Sequence, residues 1–200
     1  MNETAVLNRG TGAGGANTNH HGKRFEEKTN NRTRLLDQGY TRESLRPHPK
    51  KETDYCLKRT DPDTGITNTF VEQHGLKCIM KADHDKQIFR CPDEAYMKEY
   101  PDGRKALFVL EKKEQRVEGS VETKLWSGPS LKREYELVLG PGFNVFYGFC
   151  VSEFLKRRLV SHEKKYEILH EILGEHNIVV LFGDDDNYFE TLDAWISNSL

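Results

Sequence analysis

Residues 92–113 read PDEAYMKEYPDGRKALFVLEKK, and this stretch decides the predicted fold. Its middle, residues 100–104 (YPDGR), predicts a tight turn, because proline fixes φ, aspartate caps the turn and glycine accepts a positive φ. The five residues Ala106–Leu110 that follow are all apolar, which predicts a central strand buried on both faces. The stretch is therefore predicted to be a β-hairpin whose second strand runs through the core.

The turn also predicts which residues of the hairpin face each other. A three-residue loop with Gly103 in the left-handed position is centred on Asp102. Asp93 and Glu111 lie equally far from Asp102 along the chain, so their carboxylates are predicted to oppose each other on one face of the sheet. Lys113 points to the same face, because side chains alternate along a strand. A single β-bulge would shift this pairing.

Two carboxylates and a lysine at the end of a strand suit metal-dependent phosphodiester chemistry. Neighbouring carboxylates repel each other, and a divalent cation relieves the repulsion. Mg²⁺ prefers such oxygen ligands, and a bound metal can activate water and stabilise charge on a phosphate oxygen. A nearby ammonium can orient or deprotonate the water, or neutralise the transition state. The alternative is a solvated strand end with ordinary salt bridges.

The spacing of these residues resembles that of a known nuclease family. Pro92-Asp93, residues 94–110 and then Glu111-Lys112-Lys113 are similar to the motif of the PD-(D/E)XK nuclease superfamily, which includes most type II restriction endonucleases. The resemblance covers roughly residues 14 to 185 and implies a restriction-endonuclease-like α/β core, with a central mixed sheet flanked by helices on both sides. It also implies that Asp93 and Glu111 bind Mg²⁺, with Mn²⁺ as a substitute, and that Lys113 is the catalytic lysine.

Two further stretches extend the resemblance. Residues 22–26 (GKRFE) are similar to the Gly-x-x-Phe-Glu start of the first core helix in many restriction enzymes. In those enzymes the glutamate supports the metal directly or through water, which implies that role for Glu26 and leaves Glu27 as an alternative. Gln115 follows Lys113 as a glutamine does in some restriction-type nucleases, so it is implied to be a supporting catalytic residue.

The predicted DNA contacts lie on both sides of this motif. The loop Gly14–Asn19 carries amides that can read adenine edges or phosphates, and a flexible tail is the alternative. Ser120 stands at a predicted helix start, where it either contacts a phosphate or simply caps the helix. The predicted DNA-binding residues are Asn17, Thr18, Asn19, Lys23, Ser120 and Lys124.

Outside the hairpin, helices and strands are predicted to alternate around a single domain at 14–200, preceded by a flexible tail at 1–13. A first helix is predicted from Gly22 to about Gln38, with Gly39 as its cap, and the connector 41–66 is predicted to be irregular apart from one short helix. Further strands are predicted at 67–73, 76–80, 87–91, 138–150 (interrupted at 140–142) and 178–182, and further helices at 120–126, 152–173 and 188–196.

Composition restricts the classes of protein and partner. The formal net charge is −2, so any DNA binding must rely on a local positive face. The four cysteines form no Cys-x-x-Cys pair, which argues against a zinc ribbon and favours reduced thiols. Residues 184–186 (DDD) are interpreted as a polar loop rather than a metal site. No signal peptide and no apolar run of roughly 20 residues is present, so a cytoplasmic location without a membrane partner is expected.

Several functions remain open at this point. The resemblance implies sequence-specific cleavage of double-stranded DNA, a homodimer that supplies two active sites, and a cognate DNA methyltransferase that acts on the same site. A repair or recombination nuclease of the same fold is an alternative, as is a DNA-binding module that has lost cleavage. An interaction protein with an accidental motif is a further alternative.

Overall fold

A seven-stranded mixed sheet forms the centre of the computed structural model, which describes residues 24–115 and 121–198. The strands are β1 (Thr41–Ser44), β2 (Tyr55–Thr60), β3 (Thr67–Glu72), β4 (Glu94–Glu99), β5 (Lys105–Lys113), β6 (Asn144–Val151) and β7 (Ile178–Phe182). They lie side by side in chain order. Strands β1 to β5 pair antiparallel, whereas β5, β6 and β7 pair parallel.

Helices connect the parallel strands and cover the sheet. They are α1 (residues 24–28), α2 (Arg32–Asp37), a 3-10 turn (Glu52–Asp54), α3 (His74–His84), α4 (Val121–Trp126), α5 (Gly128–Leu139), α6 (Glu153–Leu159), α7 (Lys164–Glu175) and α8 (Tyr188–Asn198). The pairs α4–α5 and α6–α7 form the crossovers that parallel neighbours require. In the two described ranges, no helix is long and apolar enough to cross a membrane.

Strand β5 divides the core into two layers, because its side chains alternate between the two faces. Leu107 and Val109 belong to the cluster that includes residues of α3 to α7. Ala106, Phe108 and Leu110 belong to the cluster that includes residues of α1, α2 and α8. All five side chains are fully buried, which confirms the predicted central strand and the α/β class with helices on both sides of a mixed sheet.

Two of the predicted strands are wrong. Residues 76–80 lie in helix α3, where Leu76, Ile79 and Met80 are buried at the i, i+3, i+4 spacing of a helix face. A short apolar run fits either structure, and here the helical spacing prevails. Residues 87–91 are irregular, and β4 begins only at Glu94.

The connector 41–66 is more regular than predicted. It holds β1 and β2 as well as the one short helical turn that was expected. All four residues of β1 are exposed at the edge of the sheet, so the strand has no apolar pattern to reveal it. Charged edge strands of this kind discourage edge-to-edge association.

The predicted first helix is interrupted at residues 29–31, although its cap is confirmed by the positive φ of Gly39 (+86°). The interruption has a polar cause: the buried backbone N–H of Asn31 donates to Oε1 of Glu94 at 3.2 Å. That bond joins the N-terminal segment to strand β4, which the sequence pattern could not reveal.

The C-terminal half differs from prediction at two places and agrees at two. Residues 138 and 139 end the unpredicted helix α5, so the strand predicted at 138–150 begins only at Asn144. The helix predicted at 152–173 is divided into α6 and α7 by residues 160–163. Strand β7 and helix α8 are confirmed close to their predicted bounds.

Candidate active site

The β4–β5 hairpin has the predicted register. The backbone N–H of Tyr100 donates to the carbonyl of Arg104 at 3.0 Å, and Gly103 closes the three-residue loop with φ +87°. The ladder pairs Glu94 with Leu110 as its last step. Asp93 and Glu111 are the next residues beyond that pair, at the end of the hairpin opposite the turn.

Asp93 lies just outside the β4–β5 ladder. Its side-chain carboxylate, rather than a backbone carbonyl, accepts the next hydrogen bond from β5. Its Oδ2 accepts the backbone N–H of Lys112 at 2.6 Å. The same oxygen lies 3.4 Å from Nζ of Lys113. These two contacts fix the carboxylate against the end of β5, which is the position that the sequence predicts.

Glu111 and Lys113 form a close pair on the same face. Nζ of Lys113 donates to Oε2 of Glu111 at 2.6 Å. Burial raises the pKa of Glu111, Asp93 raises it further, and Lys113 opposes both effects. Burial alone would lower the pKa of Lys113, but Glu111 and Asp93 outweigh it and raise that pKa. Lys113 is therefore a firmly protonated ammonium between two carboxylates.

Glu26 joins this group from helix α1. Burial and the Asp93 carboxylate raise its pKa, whereas Lys112 and Lys113 lower it in part. Glu27 lines the same pocket as Glu26 and Asp93. Its side chain is exposed, whereas that of Glu26 is half-buried, so Glu26 is the glutamate that the structure brings into electrostatic contact with the hairpin.

The chemistry of this donor set fits a hard divalent cation. Asp93 and Glu111 supply carboxylate oxygens that both contact Nζ of Lys113. Burial raises the pKa of Glu111 and of Glu26, and repulsion from Asp93 adds to the rise, which a divalent cation would relieve. In the described ranges, no group of three or more His, Cys, Asp or Glu residues is arranged to hold a metal ion. Glu26 is thus not assembled with Asp93 and Glu111 into a closed ligand set.

Sequence reasoning missed the pair on the opposite face of the hairpin. Nζ of Lys112 donates to Oε1 of Glu94 at 2.7 Å, and both side chains are almost completely buried. Lys112 also donates to the backbone carbonyl of Glu26 at 3.3 Å, and the Tyr96 hydroxyl donates to the second oxygen of Glu94 at 2.7 Å. The strand alternation that places Glu111 and Lys113 together also places Glu94 and Lys112 together, and this was the available signal.

Gln115 forms hydrogen bonds that join the end of β5 to neighbouring elements, and its supporting catalytic role stays a prediction. Its Oε1 accepts the backbone N–H of Glu122 in the first turn of α4, at 3.0 Å. Its backbone N–H and carbonyl both bond to the Ser152 hydroxyl, at 3.2 and 3.1 Å. Gln115 therefore connects the end of β5 to α4 and to the end of β6.

Most of the predicted DNA contacts lie outside the described residues: Asn17, Thr18, Asn19, Lys23 and Ser120. Lys124 is described, and its exposed side chain is close enough to lower the pKa of Glu111. Other basic residues of the N-terminal segment bind carboxylates of the protein itself. Arg32 bonds to Glu72, and Arg34 pairs with Asp193.

Two secondary predictions have simple outcomes. Residues 184–186 lie in a polar turn after β7, as predicted. Asp184 accepts from the Lys28 ammonium and the backbone N–H of Glu153, and Asp185 accepts from the Lys156 ammonium. All four cysteines are free, with Cys56 and Cys150 buried, Cys78 half-buried and Cys91 exposed.

Neither family models nor curated proteins nor solved structures gave a match to this chain. The resemblance to the PD-(D/E)XK superfamily therefore stays a prediction that rests on the residues and their geometry.

Proposed function

We propose that the chain is a Mg²⁺-dependent endonuclease of the PD-(D/E)XK type that hydrolyses phosphodiester bonds in double-stranded DNA at specific sequences. One observation carries the proposal: the hairpin register brings Asp93 and Glu111 into contact with Lys113 at the end of a buried strand. Their side chains are 23%, 17% and 15% exposed, so the group can be reached from solvent.

The sheet also supports a restriction-endonuclease-like core. An antiparallel hairpin carries the candidate residues, and its second strand continues through a helical crossover into parallel β6. Helix α1 brings Glu26 to the same end of the sheet. This is the arrangement of elements that the resemblance implies.

In this proposal Asp93 and Glu111 hold the cation, and Glu26 supports it at longer range or through water. The cation, when bound, would activate water and stabilise charge on the phosphate. Lys113 then acts as an ammonium that binds the phosphate oxygen on which charge develops. Its raised pKa favours this role over that of a general base.

The alternative is that Lys113 and its carboxylate partners form an ordinary salt bridge that only stabilises the sheet. A simple salt bridge needs only one carboxylate. A second half-buried carboxylate beside it is unfavourable, because two like charges raise each other's pKa. Here burial raises the pKa of Glu111 and of Glu26, and the Asp93 carboxylate adds to the rise in each. Lys113 lowers the pKa of both but leaves it above the usual glutamate value. An electrostatic cost of this kind is typical of functional sites.

Double-strand cleavage needs two active sites, so a homodimer on the DNA is part of the proposal. Lys124 on α4 stands beside Glu111 and is a candidate for phosphate contact, which would make DNA binding salt-dependent. A cognate methyltransferase that protects the same DNA sequence would accompany an enzyme of the restriction kind.

The test is cleavage of plasmid and phage DNA by the full chain with Mg²⁺ or with EDTA. We expect discrete fragments only with Mg²⁺. Asp93→Asn should lower the rate at least about 100-fold, because a ligand charge is lost while the side-chain shape is kept. Asp102→Asn, at the exposed turn of the same hairpin, is the matched control and should cut as the wild type does.

Each other outcome favours an alternative. Cutting in EDTA, or an Asp93→Asn variant at wild-type rate, would contradict the assignment. Smeared products, or cleavage only of branched or single-stranded DNA, would point to a repair nuclease. Sequence-selective binding without cutting would point to a DNA-binding module.

A further inference from the structure

Gln73 adopts a backbone conformation that normally belongs to glycine. Its φ is +45° and its ψ is −121°, the combination found at the first central position of a type II′ turn. A Cβ makes this conformation costly, and such strain persists only where the surroundings enforce it. The two other non-glycine residues with positive φ in the described ranges are Asp85 and Asn177, which are residue types that tolerate the left-handed region.

The position also does not use the glutamine side chain to stabilise the fold. Gln73 precedes helix α3 as its N-cap, but its side chain makes no capping hydrogen bond. Within the described ranges, the side-chain amide has no hydrogen-bond partner at all. Glycine would relieve the strain, and Ser, Asp or Asn would cap the helix better, so local stability does not explain a glutamine here.

The location of Gln73 supplies a reason. Its backbone N–H donates to the carbonyl of Pro92 at 2.9 Å, immediately before Asp93. Gln73, Glu26 and Asp93 line one open pocket of about 330 Å³. The strained residue is thus attached to the Pro-Asp segment and shares its pocket with two carboxylates of the candidate site.

Besides Gln73, the side-chain donors that line the pocket are Lys112, Asn30 and the Thr33 hydroxyl. Its Lys112 ammonium is bonded to Glu94, and its Asn30 amide is bonded to Glu72. A phosphate that approaches Asp93 would gain from a further donor that does not compete with a cation for the carboxylates. A neutral amide N–H is such a donor.

From these observations we infer that Gln73 is a substrate-binding residue, whose side-chain amide donates to a phosphate oxygen of the DNA next to the bond that is cut. The backbone hydrogen bond to Pro92, made in the strained conformation, keeps Gln73 beside the pocket. The inference rests on the proposed nuclease function and adds a residue and a contact to it.

The test compares Gln73→Gly with Gln73→Met. Both variants remove the amide, but only glycine removes the strain, since methionine keeps the length and the Cβ. We expect the KM for plasmid DNA with Mg²⁺ to rise about tenfold in both variants, with kcat changed much less, because a binding contact is lost. We expect the melting temperature to rise by about 2–4 °C in Gln73→Gly alone.

Asn177→Gly is the matched control, because it changes a non-glycine residue of positive φ (+49°) between α7 and β7. It should leave the KM unchanged. Wild-type KM in both Gln73 variants, or a Gln73→Gly protein no more stable than the wild type, would overturn the inference while the nuclease function stands. A wild-type protein that neither binds nor cuts DNA would overturn the proposed function and this inference together.

Discussion

The end of strand β5 carries a lysine–carboxylate group on each face of the sheet, and the two groups differ in what can reach them. On one face, Lys113 lies between Glu111 and Asp93, and its side chain is 15% exposed. On the other face, Lys112 pairs with Glu94, and their side chains are 2% and 1% exposed. Adjacent residues of one strand thus present the same chemistry in two environments.

The sealed group has its hydrogen bonds met inside the protein. Glu94 accepts from Lys112, from the Tyr96 hydroxyl and from the backbone of Asn31. In the open group, burial and the Asp93 carboxylate raise the pKa of Glu111, and Lys113 lowers it only in part. A structural ion pair and a candidate catalytic one therefore do not differ in residue type. They differ in whether their hydrogen bonds are met inside the protein and whether solvent can reach them.

The largest expected effect is on catalysis and falls on the open face. Lys113→Met should lower the rate of DNA cleavage with Mg²⁺ by about 10²–10³-fold, because a preorganised positive charge is lost from the reacting phosphate. DNA binding, measured by gel shift with Ca²⁺ in place of Mg²⁺, should persist. Lys164→Met, at an exposed lysine on α7, is the control for loss of a charge. Full activity in Lys113→Met would remove the distinction between the faces.

The next effect is on stability and falls on the sealed face. Lys112→Met should lower the free energy of unfolding by about 3–5 kcal/mol, because it leaves the Glu94 charge buried without its partner. Urea denaturation measures this. The double variant Lys112→Met with Glu94→Gln should be more stable than the two single effects added together, because the residues are coupled. A Lys112→Met protein within about 1 kcal/mol of the wild type would show that the pair is not a structural requirement.

The open face could be predicted from sequence because its signals are local. The turn at residues 100–104 fixes the hairpin register, and the alternation of a strand then places Asp93, Glu111 and Lys113 together. The same alternation placed Lys112 on the other face, but nothing local indicates that a lysine there is buried. That depends on a distant segment of the chain, from which Asn31 donates to Glu94 and the carbonyl of Glu26 accepts from Lys112.

The elements that were predicted wrongly also depend on contacts with distant parts of the chain. Residues 76–80 form a short apolar run that suits strand or helix, and only packing against the sheet decides for helix α3. Strand β1 is fully exposed and takes its structure from pairing with β2 rather than from its own pattern. The role of Gln115 was implied by the resemblance and stays a prediction, whereas its hydrogen bond to the backbone N–H of Glu122 depends on the position of α4, which the local sequence does not define.

A smaller effect is expected at the turn that holds both faces in register. Gly103→Ala should cost about 1–2 kcal/mol, because alanine disfavours the φ of +87° found there. No atom lies within 4 Å of a Cβ at this position, so the cost is conformational and not a clash. Gly142→Ala, at an equally open position without a positive φ, should be close to neutral in urea denaturation. Equal losses in both variants would mean that the turn conformation does not matter.

The smallest expected effect is the pH dependence of stability that Glu26 causes beside the open face. Because burial and Asp93 raise the pKa of Glu26 in the folded protein, the folded state holds this proton more tightly than the unfolded chain does. Its contribution to stability is therefore fully present below the usual glutamate pKa and is lost as the pH rises through the raised value. Glu26→Gln has no such loss, so it should equal the wild type near pH 4 and exceed it near pH 7.5.

The expected gain is under about 1 kcal/mol, because Glu26 is only half-buried and water screens its charge. Urea denaturation at the two pH values, without divalent cations, measures it, and Glu27→Gln is the control from the adjacent exposed position. A Glu26→Gln variant that is less stable than the wild type at pH 7.5 would contradict this. It would mean that the Glu26 carboxylate stabilises the fold, as that of Glu94 does. A gain at pH 7.5 with loss of Mg²⁺-dependent cleavage would mean that this carboxylate is kept at the open face at the expense of stability.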